Sequence, residues 1–160
     1  MIKQVLDLGC QTVVVPMVDD EQTAKAMARA MRYPPQGNRG MGASLARATG
    51  FGAVADYPHT ANDQVCLLVQ AESAQAIANI DAIAAIEGVD GVFVGPADLS
   101  ADMGYPGQPD HPEVEAAIDN LIARTVAAGK IAGIITFDES PFEFRSTWWI
   151  TPVAHSLIAI

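Results

Sequence analysis

The sequence predicts an α/β fold built on a parallel sheet, and two observations carry that prediction. Short apolar, largely β-branched runs alternate with Ala-rich stretches of helical spacing from one end of the chain to the other. Half of the 160 residues are hydrophobic and only 6% aromatic, with Ala and Gly abundant, a composition suited to helices packed closely on a sheet. A helix between two strands of one sheet returns the chain to the same edge, so such strands run parallel.

In chain order, Ile2 to Leu8 reads as the last part of a helix closed by Gly9, so the chain looks cut at its start. Thr12 to Val18 (TVVVPMV) is a strand buried on both faces, with Pro16 near its end where a ladder donor can be spared. Asp19 and Asp20 offer an N-cap for a helix from Glu21 to Arg32, whose packed stripe is Ala24, Met27, Ala28 and Met31. The next stretch, Tyr33 to Gly52, is rich in glycine and opens with two prolines that end the helix. It serves equally as a structural turn or as a loop that holds an anion through backbone N–H groups, Arg39 and Arg47, but it matches no phosphate-loop or dinucleotide fingerprint. Tyr57 to Gln64 is polar, and His59 within it reads as a solvated or capping residue.

The central unit runs from Val65 to Asp102. Val65 to Val69 is a strand, Ser73 to Ile86 a helix packed through Ala74, Ile77, Ile80 and Ala84, and Gly91 to Val94 a second strand. Glu72 follows the first strand and Asp98 the second, so both carboxylates emerge at the carboxyl-terminal edge on strands about 5 Å apart. Two carboxylates among oxygen donors suit a hard divalent cation such as Mg²⁺ or Mn²⁺. In GPADLS, Pro96 takes the first helical position and the amides of Ala97 and Asp98 open a short helix where a substrate carboxylate can dock. A 2-oxo acid held there could chelate the ion, which would stabilise an enolate. The same spacing is also met by Asp98 as a plain N-cap and Glu72 as a first-turn acid. Further on, Pro112 or Glu113 starts a helix that runs to Ala128, Gly129 ends it, and Ile131 to Thr136 is another buried strand. Strands are thus expected near 13, 41, 67, 92 and 133. From Pro141 the chain is hydrophobic without a clean period and reads as an irregular, partly exposed end.

Composition excludes several function classes. Nineteen acidic side chains against nine Lys and Arg give a net charge of -10, which leaves no basic stripe for nucleic acid. No apolar segment reaches the roughly 18 residues of a membrane span, and the start lacks a leader pattern, so a cytoplasmic location without a membrane partner is expected. Cys10 and Cys66 sit in or beside apolar strands and read as buried free thiols.

Three segments carry more than spacing: VQAES around Glu72, EGVDGVFVGPADLSADMGYPG from Glu87 to Gly107, and RYPPQGNRGMG from Arg32 to Gly42. Together they resemble the metal-dependent (class II) 2-oxo acid aldolases, of the 4-hydroxy-2-oxoheptanedioate aldolase and 2-dehydro-3-deoxyglucarate aldolase type. The resemblance covers roughly residues 1 to 140. It implies a partial (β/α)₈ barrel with about five parallel strands present, in a family that assembles as homo-oligomers, usually hexamers with exchanged helices. It implies a divalent metal (Mg²⁺, Mn²⁺ or Co²⁺) held by Glu72 and Asp98, and a pyruvate half-site of Gln70, Ala97 and Asp98. Asp7 matches an acid that raises the basicity of the family's catalytic histidine. The reaction implied is reversible cleavage of a 4-hydroxy-2-oxo acid to pyruvate, or a close relative, and an aldehyde.

Departures from the family pattern set further expectations. A complete barrel takes about 250 residues, and the family's first two strands, with the base histidine and a transition-state arginine, have no counterpart here. None of His59, His111 or His155 takes the position of that base, and neither Arg39 nor Arg47 that of the arginine. An incomplete aldolase domain over 1–140, impaired in turnover, followed by a divergent hydrophobic tail over 141–160, is therefore expected. A non-catalytic chain that associates through open strand edges, or another enolate-forming lyase of the same barrel superfamily, remains the alternative.

Overall fold

A computed structural model describes residues 1–135 and the backbone of 149–151. The β-branched runs become the parallel strands β1 (Thr12–Val15), β2 (Cys66–Ala71), β3 (Gly91–Val94) and β4 (Ile131–Ile135), joined by β5 (Trp149–Thr151). They lie side by side in sequence order, every neighbouring pair parallel. Sequential parallel strands with helical crossovers form an arc of a (β/α) barrel.

Helices α1 (Ile2–Asp7) and α2 (Glu21–Met31) flank β1 in the chain. The side chain of Asp20 caps α2, accepting the Thr23 N–H at 2.7 Å. Between α2 and β2 lies the short helix α3 (Tyr57–Thr60). The crossover helix α4 (Ala74–Ala84) follows β2 and is capped by Ser73. Beyond β3 come α5 (Pro96–Asp102) and α6 (Pro112–Ala127). Helices α2, α4 and α6 stack side by side on the sheet, with Ala24, Met31, Ile80 and Leu121 in one buried cluster with Val13, Leu67 and Val92, while Ala74, expected in the α4 stripe, is exposed. Arg124 of α6 donates from Nε and Nη2 to both carboxylate oxygens of Asp81 on α4 at 2.9 Å, and from Nη1 to the Ile77 carbonyl.

Two expectations need correction, and one segment gains a structure. The strand counted near 41 is absent: residues 43–45 and 47–49 form two 3₁₀ turns instead. The reason is Gly37, which presses on the end of α2 so closely that a Cβ there would sit 2.2 Å from the carbonyl oxygens of Arg29 and Arg32. The Asn38 N–H donates to the Arg29 carbonyl at 2.8 Å and the Arg39 N–H to the Arg32 carbonyl at 2.9 Å, so the loop runs against the end of α2. The polar stretch before β2, for which the sequence sets no secondary structure, forms α3 and a 3₁₀ turn over Ala61–Gln64. Finally, the segment read as an irregular end contributes β5, which extends the sheet beyond β4. The rest of the 141–160 tail, His155 included, lies outside the described residues. Among the described residues, no helix is long and apolar enough to cross a membrane.

Candidate active site

The carboxyl ends of β1, β2 and β3 converge on one carboxylate. The register pairs Ala71 of β2 with Val94 of β3, so the next residues, Glu72 and Gly95, stand beside each other. A Cβ on Gly95 would lie 2.3 Å from Glu72 Oε1 and 2.9 Å from its Cγ. Only a glycine there leaves Glu72 its place. Gly95→Ala is accordingly expected to displace the carboxylate and weaken Mn²⁺ binding by about tenfold or more while leaving the helical signal intact, as a Mn²⁺ titration followed by electron paramagnetic resonance would read.

Glu72 is 4% exposed. Its Oε2 accepts the Met17 N–H at 3.0 Å, and its Oε1 accepts the Gln70 Nε2–H at 2.7 Å. Burial pushes its carboxyl above the ordinary range. The Met17 amide works against that shift, and the carboxylates of Asp98 and Asp19 reinforce it. Among the described residues Glu72 has no ion pair with Lys or Arg. A buried carboxylate near the charges of Asp98 and Asp19 offers the hard oxygen donors that suit a divalent cation such as Mg²⁺ or Mn²⁺. Among the described residues no cluster of three or more His, Cys, Asp or Glu forms a ready cage. Glu72 and Asp98 would thus hold an ion that keeps other positions for water or substrate.

Asp98 and Ala97 are exposed in the first turn of α5, where the leading amides have no intrahelical partner. The structure therefore brings Gln70, Glu72, Ala97 and Asp98 to one edge. Asp7 lies elsewhere. It ends α1, five residues before β1 begins, and so sits toward the amino-terminal edge of the sheet. There it pairs with Lys3 and, at 2.9 Å, with Nη2 of Arg39. Burial pushes the Asp7 carboxyl up, but the hydrogen bonds and charges of Lys3 and Arg39 outweigh it and hold the group below the ordinary carboxylate value. Arg39 has no exposed side-chain surface, and its guanidinium lies 4.5 Å from the Tyr33 ring centroid.

The family's sequence profile, HpcH/HpaI aldolase/citrate lyase, matches residues 1–145. The chain belongs to this family. It is 59% identical over 140 residues to a hydroxypyruvate/pyruvate aldolase of Agrobacterium fabrum, a match that takes in 88% of this chain and 53% of that protein. Over 154 residues it is 50% identical to a 2-keto-3-deoxy-L-rhamnonate aldolase of Salmonella paratyphi B, covering 96% of this chain and 58% of the relative. The chain thus spans about half the length of the curated relatives it matches. Among solved structures, an HpcH/HpaI aldolase/citrate lyase family protein of Burkholderia cenocepacia superposes with a TM-score of 0.87 at 37% identity, over 99% of this chain and 61% of that one.

Within this HpcH/HpaI chain the remaining candidates take structural places. His111 caps α6, its Nδ1 accepting the Glu113 N–H at 3.3 Å while its ring stacks on Tyr105. His59 is exposed on α3, and Arg47 is exposed in a 3₁₀ turn. Sequence reasoning missed Met17 and Gly95 as shapers of the site. Asp19 was visible there only as one of two possible caps, whereas Asp20 takes that role and Asp19 turns toward Ser73.

Proposed function

We propose that this chain carries the metal- and enolate-holding half of an aldolase site that cleaves 4-hydroxy-2-oxo acids to pyruvate, or a close relative, and an aldehyde. The observation that carries the reading is the buried Glu72 carboxylate at the carboxyl edge, next to Asp98 and without a cationic partner among the described residues. The named activities of the aldolase relatives support it. Glu72 and Asp98 would hold Mg²⁺, Mn²⁺ or Co²⁺. When bound, the ion acts as a Lewis acid toward the charge that develops on the 2-oxo group. Gln70, already fixed on Glu72, orients that carboxylate and presents its amide beside the pyruvate half. The amides of Ala97 and Asp98 receive the substrate carboxylate at the start of α5. Burial of Glu72 between β2 and β3 keeps water from competing for its oxygens.

Cleavage also needs a base to take the 4-hydroxyl proton as the carbon–carbon bond breaks. His111 is committed to capping α6 and His59 lies on α3, away from this edge, so the described residues offer no histidine for that step. Turnover by this chain alone is therefore expected to be slow or absent. Assembly as a homo-oligomer, a hexamer by family resemblance, is part of the proposal; exposed Met41, Leu45, Phe51 and Val54 on one segment are apolar surface of the kind that such contacts cover.

The test is an aldol-cleavage assay with 4-hydroxy-2-oxo acids, with and without Mn²⁺, on this chain and on a version preceded by the first strands of the family barrel. Metal-dependent pyruvate release restored only in the extended version is the expected result. Robust metal-independent turnover by the chain itself would overturn the proposal.

A further inference from the structure

We propose that Asp19 is a positioning residue for the Glu72 carboxylate, acting as a latch between the turn that leaves β1 and the turn that leaves β2. The inference rests on the reading of Glu72 as a metal ligand and adds the device that holds it in place.

The turn after β1 has an unusual backbone. Met17 adopts φ +55°, a left-handed conformation that a residue bearing a Cβ rarely enters and keeps only when its surroundings hold it there. That conformation is what aims the Met17 N–H at Glu72 Oε2, while the following N–H, of Val18, donates to the Gln70 carbonyl at 3.1 Å. Released, the turn would relax and both donors would leave. Two side chains prevent this through Asp19. The Ser73 hydroxyl donates to Asp19 Oδ1, and Asn79 Nδ2 donates to the Asp19 carbonyl at 2.8 Å. Ser73 is the residue after Glu72 and also the cap of α4, its Oγ accepting the Ala76 N–H at 3.0 Å. The proton and one lone pair of that hydroxyl are therefore committed, the proton to the β1 turn and the lone pair to α4. From the other side, Asp102 at the end of α5 accepts the Ala74 N–H at 2.7 Å. The residues flanking Glu72 are thus fixed from three elements, and Asp19 supplies the link to β1. Because Asp20 already caps α2, Asp19 is not needed for that task.

The latch needs an acceptor at Asp19, not a charge. Asp19→Ala is expected to weaken Mn²⁺ binding about tenfold, within the range of residues that orient a ligand without touching the ion. Asp19→Asn, whose carboxamide oxygen still accepts from Ser73, is expected to restore most of the loss. Ser73→Ala, which also removes the α4 cap, should weaken binding at least as much as Asp19→Ala, and the double variant should be no weaker than Ser73→Ala alone. Affinities would be read from Mn²⁺ titrations by electron paramagnetic resonance on the full chain, with thermal melts of the metal-free variants alongside. Equal loss in Asp19→Asn and Asp19→Ala, additive loss in the double variant, or unchanged affinity in Asp19→Ala would each overturn the latch. Should Asp19→Ala fail to fold, unchanged affinity in Ser73→Ala overturns it instead. Absence of Mn²⁺ binding by the unmodified chain would overturn the metal reading and the latch together; binding by that chain with Asp19→Ala unaffected overturns the latch alone.

Discussion

Glu72→Gln is expected to abolish divalent-cation binding while making the metal-free protein more stable at neutral pH. Glutamine keeps the shape of the side chain and removes the charge, so the proposed metal site loses a ligand and the fold loses a buried anion. The pH dependence has a definite sign. Burial raises the folded-state pKa of Glu72 above its ordinary 4.5, with Asp98 and Asp19 adding to the shift. The unfolded chain therefore ionises this group first, and ionisation favours unfolding as pH rises between the two values. The advantage of the glutamine variant should be absent below about pH 4.5, grow through the window above it, and stay constant beyond the raised folded value. Urea denaturation of both proteins in the presence of a chelator would measure this. Adding Mn²⁺ should stabilise the unmodified protein and leave the variant unchanged. A variant that is less stable than the parent at pH 7 in chelator would show that the Glu72 charge is compensated in a way the site geometry does not provide.

Arg39→Ala is the second large effect, and it acts at the opposite edge. The guanidinium is fully enclosed, paired with Asp7 and stacked on Tyr33, and among the described residues its Nε and Nη1 find no hydrogen-bond partner. Removing one member of a buried pair costs about 3–5 kcal/mol, a large share of the roughly 5–15 kcal/mol that holds a domain folded. Asp7→Ala should cost at least as much, because it strands the enclosed cation. The double variant should cost less than the sum of the two, since neither charge is then left alone. Asp7 also sets an acid limb: its depressed folded pKa gives stability above the ordinary value of 3.8 that is lost as pH falls through the folded value. Chemical denaturation at pH 7 and pH 3 would read both effects, and losses that simply add would show that the two residues do not act as a pair. Their distance from Glu72 predicts that Mn²⁺ affinity stays near that of the parent in whatever fraction remains folded.

The sequence by itself determined the parallel sheet, four of its strands and the edge on which Glu72 and Asp98 emerge. Each of these follows from local periodicity: β-branched runs make strands, Ala/Ile spacing makes the crossover helix, and the residue after a parallel strand must appear at its carboxyl end. Three features escaped that logic. The glycine-rich loop looked able to add a strand, yet Gly37 fits only against the end of α2. The pairing of Asp7 with Arg39, 32 residues further along, is marked in neither segment. Met17 carries no mark in the sequence of a left-handed conformation, because glycine is the usual signal and methionine is not. Tertiary structure alone decided these points, for one physical reason. Each depends on a partner distant along the chain, Glu72 for Met17 and Arg39 for Asp7, or on a steric fit such as that of Gly37, and neither leaves a trace in local periodicity.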